Sequence, residues 1–162
     1  MTTDAYAHWT DLEVRHPNQV PASTPLSWLT EKHVVHADRM ANRQLPADFP
    51  HKVERGNADD ALAVLALGEA IRRAAAQFRP IQVRDALTAG ASWTEVAAAL
   101  DVTPVEARDL LRVWAEGQRR LWVGYEAEGA RPFGLDADEY AAVLALCALD
   151  DDQTTPGVAP SS

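Results

Sequence analysis

The side chains that could do chemistry are few, and most of them lie apart in the sequence. All five histidines fall in the first third of the chain: His8, His16, His33, His36 and His51. His33 and His36 are three residues apart on a predicted helix and could face one metal ion, with Asp38 or Glu31 beside them. A zinc site usually has four ligands, often including cysteine, and the single cysteine, Cys147, is far away. We therefore expect partly exposed helix histidines and no metal site.

Catalytic chemistry is not indicated either. We find no nucleophile beside a base, no glycine-rich phosphate loop and no paired carboxylates in an apolar setting. The sequence thus predicts no catalytic residues and no cofactor, so we do not expect an enzyme. It has no apolar run near the roughly 20 residues that span a bilayer. The first residues, MTTDAYAHW, resemble no signal peptide, and one cysteine excludes a disulfide framework. A cytoplasmic protein without membrane contact is the expectation.

Binding is the remaining possibility, and residues 91–111 (ASWTEVAAALDVTPVEARDLL) carry the clearest pattern for it. Ser92 is followed three residues later by Glu95, and Thr103 by Glu106. Each pair has the spacing of a capping box, in which two side chains satisfy the free backbone groups at a helix start. A proline directly after Thr103 suits the first position of a helix. The stretch therefore predicts one helix, a tight turn and a second helix.

The apolar residues of this stretch have the spacing that two crossing helices need. Val96, Ala97 and Leu100 would face inward from the first helix, with Ala97 small enough for a close crossing. Val102 would fill the turn. Ala107 and Leu110 would face inward from the second helix. Together with the capping signals, this predicts a non-winged helix-turn-helix at 91–111.

The rest of the chain has the pattern of helices joined by short connections, which predicts an all-α helical bundle. Strand-like alternation is absent, and prolines and glycines divide the pattern. The predicted helices run from Thr24 to about Asn42, from about 57 to a stop at Pro80, from 81 to 90, from Thr103 to an end or bend at Gly117, and from 136 to 149. The predicted organisation is an N-terminal helical extension with a linker (1–56), a helical domain (57–149) and a disordered acidic, Pro/Ser-containing tail (150–162).

The phrase GASWTEVAAALDVTPVEAR resembles the form G-x-S-W-x-E-I-A-x-x-L-G-V-S of helix-turn-helix proteins. It is similar in particular to region-4-like domains of sigma factors and to small actinobacterial regulators. The resemblance covers about residues 81–115. It departs from the family at Asp101, where the turn usually has glycine, and in the acidic residues of the second helix. Asp tolerates the left-handed backbone conformation better than most residues, so the turn can form.

The resemblance implies a sequence-specific DNA-binding regulator whose second helix (104–116) enters the major groove. Arg108 would read guanine, and Val105 would contact a thymine methyl group. The residues implied at the DNA are Ser92 and Thr94 on phosphate, and Thr103, Pro104, Val105, Arg108, Asp109 and Arg112 at base edges. Further candidates for neutralising phosphate charge are Arg84, Arg119 and Arg120.

The charge distribution leaves a second interpretation open. The chain has a net charge of −9, divided as −3 over residues 1–60, +1 over 61–125 and −7 over 126–162. Nucleic-acid binding draws on positive charge, and only the middle third is not acidic. The alternative is a helix-turn-helix used as a protein-interaction module, as in an adaptor or an anti-sigma-like or antitoxin-like partner. For DNA binding we expect a homodimer, formed through the N-terminal helices or the C-terminal helix at 136–149.

Overall fold

The computed structural model describes residues 3–130 and 132–155. All regular elements in these two ranges are helical, which confirms the predicted all-α class. The α-helices are α1 (Thr3–Asp11), α2 (Leu26–Ala41), α3 (Ala58–Thr88), α4 (Trp93–Leu100), α5 (Pro104–Ala127) and α6 (Ala137–Cys147). Short 3-10 helices occupy Pro17–Gln19 and Asn42–Gln44.

The chain divides into two compact units between Gln77 and Phe78, inside α3. Unit 1 precedes this point and has its own apolar core. Its buried residues are Trp9, Val14, Leu29, Ala63, Ala66, Leu67 and Ala70. The small residues of this set lie three or four apart on the first half of α3, so they form one helix face. Trp9, an aromatic side chain of α1, packs into this core.

Unit 2 contains the remainder of α3 and the helices α4, α5 and α6 around a second core. Its buried residues are Val83, Leu87, Trp93, Val96, Ala97, Ala107, Leu111, Ala115, Leu135 and Val143. Trp93 is completely buried, and its indole N–H donates to the carbonyl oxygen of Leu146 at 2.9 Å. This bond satisfies the one polar group of the largest core side chain and connects α4 to the end of α6.

Pro80 does not end a helix, contrary to the prediction. α3 runs through it from Ala58 to Thr88, so the predicted separate helix at 81–90 is the last part of α3. Proline removes one backbone hydrogen bond, here to the carbonyl oxygen of Ala76. Burial of α3 side chains on both sides of Pro80 stabilises the continuous helix.

Gly117 also fails to end its helix, because α5 continues to Ala127. The chain reverses after this helix at Gly134, whose φ is +107°. A Cβ at Gly134 would overlap the carbonyl oxygen of Gln118 in α5. The backbone N–H of Leu135 donates to that same oxygen at 3.3 Å. Glycine thus permits a close backbone approach that sets where α6 begins.

The region after α6 was expected to be disordered from residue 150. Residues 150–155 instead fold back as a turn, while 156–162 lie outside the described residues. The side-chain hydroxyl of Thr155 donates to the carbonyl oxygen of Leu87. The predicted domain limits after 56 and after 149 remain predictions, and the division inside α3 coincides with neither. None of the helices in the described ranges is long and apolar enough to cross a membrane.

Candidate nucleic-acid interface

The stretch 91–111 forms two helices, α4 and α5, joined by three residues. Both capping boxes are present. The Ser92 hydroxyl accepts from the Glu95 N–H at 3.2 Å, and the Glu95 carboxylate accepts from the Ser92 N–H at 2.8 Å. Thr103 and Glu106 repeat the arrangement at α5, with distances of 3.3 and 2.8 Å. The backbone N–H of the capping residue stabilises each carboxylate and holds the pKa of Glu95 and of Glu106 below its usual value.

The turn after α4 depends on Asp101, which has φ 55° and ψ 46°. This is the left-handed conformation that the resemblance predicted at a position usually held by glycine. The Asp101 N–H donates to the carbonyl oxygen of Ala98 at 3.3 Å, and the Val102 N–H to that of Ala97 at 3.1 Å. These bonds satisfy two free carbonyl groups at the end of α4, so the three-residue connection is well supported.

Packing between the two helices follows most of the predicted pattern. Val96 and Ala97 of α4 and Ala107 of α5 are buried. Val102 differs from the expectation, since it is 39% exposed and does not fill the turn. The completely buried residue of the second turn of α5 is Leu111, whereas the predicted Leu110 packs at the edge of the core.

Three aspartates, Asp150 to Asp152, which we call the acidic segment, lie on the starts of α4 and α5. The backbone N–H of Thr94 donates to the carbonyl oxygen of Asp151 at 3.0 Å. The Thr94 hydroxyl donates to a carboxylate oxygen of Asp152 at 2.8 Å and approaches the Asp151 carbonyl at 3.3 Å. A residue expected to bind phosphate therefore binds oxygens of the same chain.

Arg108 is engaged by the same part of the chain. Its Nη2 lies 2.6 Å from a carboxylate oxygen of Asp151 and donates to the carbonyl oxygen of Leu149 at 2.8 Å. The guanidinium lies 5.2 Å from the centre of the Trp93 ring. The Arg108 side chain is only 21% exposed, against 54% for Asp151. The arginine that the resemblance assigned to a base is thus half-buried and paired with a carboxylate of the same chain.

The side of α5 that points away from the core, its outer face, is formed by Val105, Glu106, Asp109, Arg112 and Val113. Val105 and Val113 are 64% and 59% exposed. Arg112 donates to Asp109 at 2.7 Å, and this carboxylate raises the pKa of the guanidinium above its usual value. The outer face is therefore apolar and slightly acidic, with two carboxylates against one guanidinium.

The other predicted contacts are spread over unit 2. Arg84 lies against the Trp114 ring at 5.7 Å and near Asp85 at 3.4 Å. Arg119 reaches the carbonyl oxygen of Leu135 at 3.5 Å, and Arg120 is exposed. At 1.5 Å per residue, these two arginines of α5 lie about 24 Å along the helix from Thr103. They do not join the polar surface at the helix starts.

Three predicted contacts at the helix starts have structural roles. The hydroxyl groups of Ser92 and Thr103 act in the capping boxes, and Ser92 is buried. Pro104 is the first residue of α5 and is half-buried. Sequence reasoning missed the contribution of Leu149, Asp151 and Asp152. The run of three aspartates was visible, but its composition suggested a solvated tail, and no local pattern predicted where it would bind.

Unit 1 holds the other notable cluster of titratable groups. The Asp60 carboxylate is buried, and one of its oxygens lies 2.7 Å from Nδ1 of His36 and 3.4 Å from Nη1 of Arg39. The hydrogen bond with His36, followed by that from the Asn57 N–H, lowers the pKa of Asp60 below its usual value. His33 does not join this cluster, since its Nε2 faces Gly68. In the described ranges, no group of three His, Cys, Asp or Glu side chains is placed to hold a metal ion.

Comparison with models of known protein families, with curated proteins and with solved structures gave no match.

Proposed function

We propose that α4 and α5 act as a helix-turn-helix that binds double-stranded DNA, as part of a transcriptional regulator in the cytoplasm. One observation carries the proposal. Near the starts of the two helices, Thr94 and Arg108 both donate to oxygens of one residue, Asp151. Their donors therefore form a single surface that binds anionic and carbonyl oxygen, and DNA phosphate offers acceptors of the same kind.

In this proposal the first turns of α5 enter the major groove. Arg108 reads guanine through two hydrogen bonds, and Val105 contacts a thymine methyl group. Thr94 binds phosphate at the N-terminus of α4, where free backbone N–H groups favour an anion. Glu106 and Asp109 repel phosphate, so binding by a single α4–α5 pair is weak and depends chiefly on Arg108.

Weak binding by one pair favours a homodimer, in which two pairs contact two half-sites. Of the surfaces expected from the sequence, α6 is the poorer candidate, because its Val143 is buried within its own unit. On α2, the adjacent residues Val34 and Val35 are 52% and 46% exposed. We therefore place the dimer contact on α2. Sedimentation equilibrium should detect a dimer, and Val34→Asp should shift the chain to monomer; a chain that is monomeric at all concentrations contradicts this part of the proposal.

The DNA-binding test is fluorescence anisotropy with random-sequence duplexes at rising salt. Binding should weaken with a slope of log K on log salt of about −0.9 for each phosphate contacted. Arg108→Ala should weaken binding about tenfold, in keeping with the loss of one bidentate contact. Arg79→Ala is the matched control, because it removes the same charge from an exposed position of α3. Equal losses in both variants, or no binding at low salt, would rule out the proposed interface.

A second candidate is a protein partner bound by the outer face of α5. The observation in its favour is that Val105 and Val113 are exposed beside Asp109 and Glu106. A photo-crosslinking residue placed at position 113 in cells should then form adducts with a protein, and nuclease treatment should leave these adducts intact. The same photo-crosslinking residue placed at the position of Ala142, on the exposed side of α6, measures the background of non-specific adducts. Adducts that nuclease degrades would instead favour DNA.

A further inference from the structure

We propose that the acidic segment is an intramolecular cover that competes with DNA for Thr94 and Arg108, so that the free chain binds DNA less tightly than its helices allow. The inference rests on the proposed DNA-binding function and concerns the regulation of that site. Asp151 and Asp152 place carboxylate and carbonyl oxygens where phosphate oxygens would otherwise bind.

The Thr94 backbone is the first part of this overlap. Thr94 is the second residue of α4, so its N–H has no acceptor inside the helix. Such N–H groups are where a helix binds phosphate. Here the N–H donates to the carbonyl oxygen of Asp151, and the hydroxyl of the same residue donates to Asp152. A phosphate group cannot use these two donors until the acidic segment moves away.

The Arg108 guanidinium is the second part. It donates to the Leu149 carbonyl and pairs with the Asp151 carboxylate, and it lies against the Trp93 ring. A guanidinium held on three sides cannot extend into a groove to form two bonds with guanine. Asp151 contacts both Arg108 and Thr94, so its removal from the surface would release both at once.

The cover can open because its aspartates, which contact Thr94 and Arg108, are exposed to solvent. Leu149 packs on the core of unit 2, and Thr155 bonds to Leu87, so the segment between them is anchored at both ends. Asp150, Asp151 and Asp152 are themselves exposed. An ion pair with such an exposed carboxylate is weak and is screened by salt. The cover therefore lowers the fraction of binding-competent molecules, and apparent affinity falls in proportion to that fraction.

The test uses the full chain and single aspartate-to-asparagine changes. Asp151→Asn and Asp152→Asn each weaken the cover, whereas Asp150→Asn removes the same charge from a side chain for which the structure gives no contact with Thr94 or Arg108. By the population argument, we expect the double variant Asp151→Asn/Asp152→Asn to bind duplex DNA about threefold to tenfold more tightly than the wild type. The DNA affinity of Asp150→Asn should stay within about twofold of the wild type, because this change only reduces the general repulsion between the acidic segment and DNA.

Hydrogen exchange at the Thr94 amide gives a measurement that needs no DNA. Because the Thr94 N–H donates to the Asp151 carbonyl oxygen, its exchange should be slow in the wild type and faster in the double variant, with the Asp150→Asn variant unchanged. Equal DNA affinities across all variants would overturn the cover and leave DNA binding standing. Unprotected exchange at Thr94 in the wild type would also overturn it. If no variant binds DNA, the proposed function fails and this inference fails with it.

Discussion

Asp60 shows how much of unit 1 depends on one carboxylate. One carboxylate oxygen of Asp60 accepts from the Asn57 N–H at 3.0 Å. In return, the Asp60 N–H donates to the side-chain oxygen of Asn57 at 3.1 Å, so the Asn57 side chain caps α3. The other oxygen contacts His36 and Arg39, so the same side chain connects α2 with α3. A buried carboxylate is stable only when it is paired and hydrogen-bonded, and here both conditions are met.

The stability of unit 1 should therefore decline in acid. The pKa of Asp60 is lowered in the folded chain, so its contribution is complete above the ordinary value of 3.8 and is lost as the pH falls through the lowered one. At neutral pH, we expect Asp60→Asn to cost on the order of 2 kcal/mol. Urea unfolding of both proteins from pH 7 to pH 2.5 should show the difference shrinking below about pH 4. A difference independent of pH would mean that the charge of Asp60 is not what stabilises the fold.

The reversal between α5 and α6 rests on Gly134, and two glycines provide a matched pair of tests. Gly134→Ala places a Cβ against the Gln118 carbonyl at a positive φ, so we expect the free energy of unfolding to fall by more than about 2 kcal/mol. Gly124→Ala lies in the interior of α5, where a Cβ meets nothing within 4 Å. Alanine there should stabilise the helix by about 0.5–1 kcal/mol. Thermal unfolding distinguishes the two, and a loss of stability in both variants would contradict this account.

Helix starts could be predicted from sequence because their signals are local. The capping boxes predicted at Ser92 and Thr103 are confirmed by their hydrogen bonds, and α6 begins with a third capping box at Asp136. Helix interruptions were less predictable. Pro80 and Gly117 disfavour helix by about 3 and 1 kcal/mol respectively, and burial of side chains on either side outweighs both. Local propensity therefore located where helices begin but not how far they continue.

The candidate site divides in the same way. Ala107 and Ala97 could be assigned inward from spacing, because both helices repeat every 3.6 residues. The partners of Arg108 could not, since Asp151 lies 43 residues later in the chain and no periodicity relates the two. The charge composition favoured a solvated tail, whereas in the fold Asp151 accepts from both Thr94 and Arg108. Long-range pairing of charged side chains is thus what the sequence left open.

At the scale of the whole molecule, the described residues form two separate apolar cores that share one helix. α3 contributes Leu67 to the core of unit 1 and Leu87 to the core of unit 2. A core is stabilised by its own packing, so a cavity in one core should act first on the residues around it. Leu67 and Leu111, both completely buried, offer equivalent truncations, one in each core.

Leu67→Ala and Leu111→Ala should each cost about 2–5 kcal/mol in the unit where they lie. In hydrogen exchange, Leu67→Ala should increase the opening of amides around Leu29, and Leu111→Ala that of amides around Val96. The continuous α3 sets the limit of this independence, because unfolding of either unit frees one half of the helix. If both truncations raise exchange equally in the two cores, the chain unfolds as one cooperative structure. Unequal effects, each confined to its own core, would show that α4–α5 and the acidic segment belong to a unit that folds around its own core.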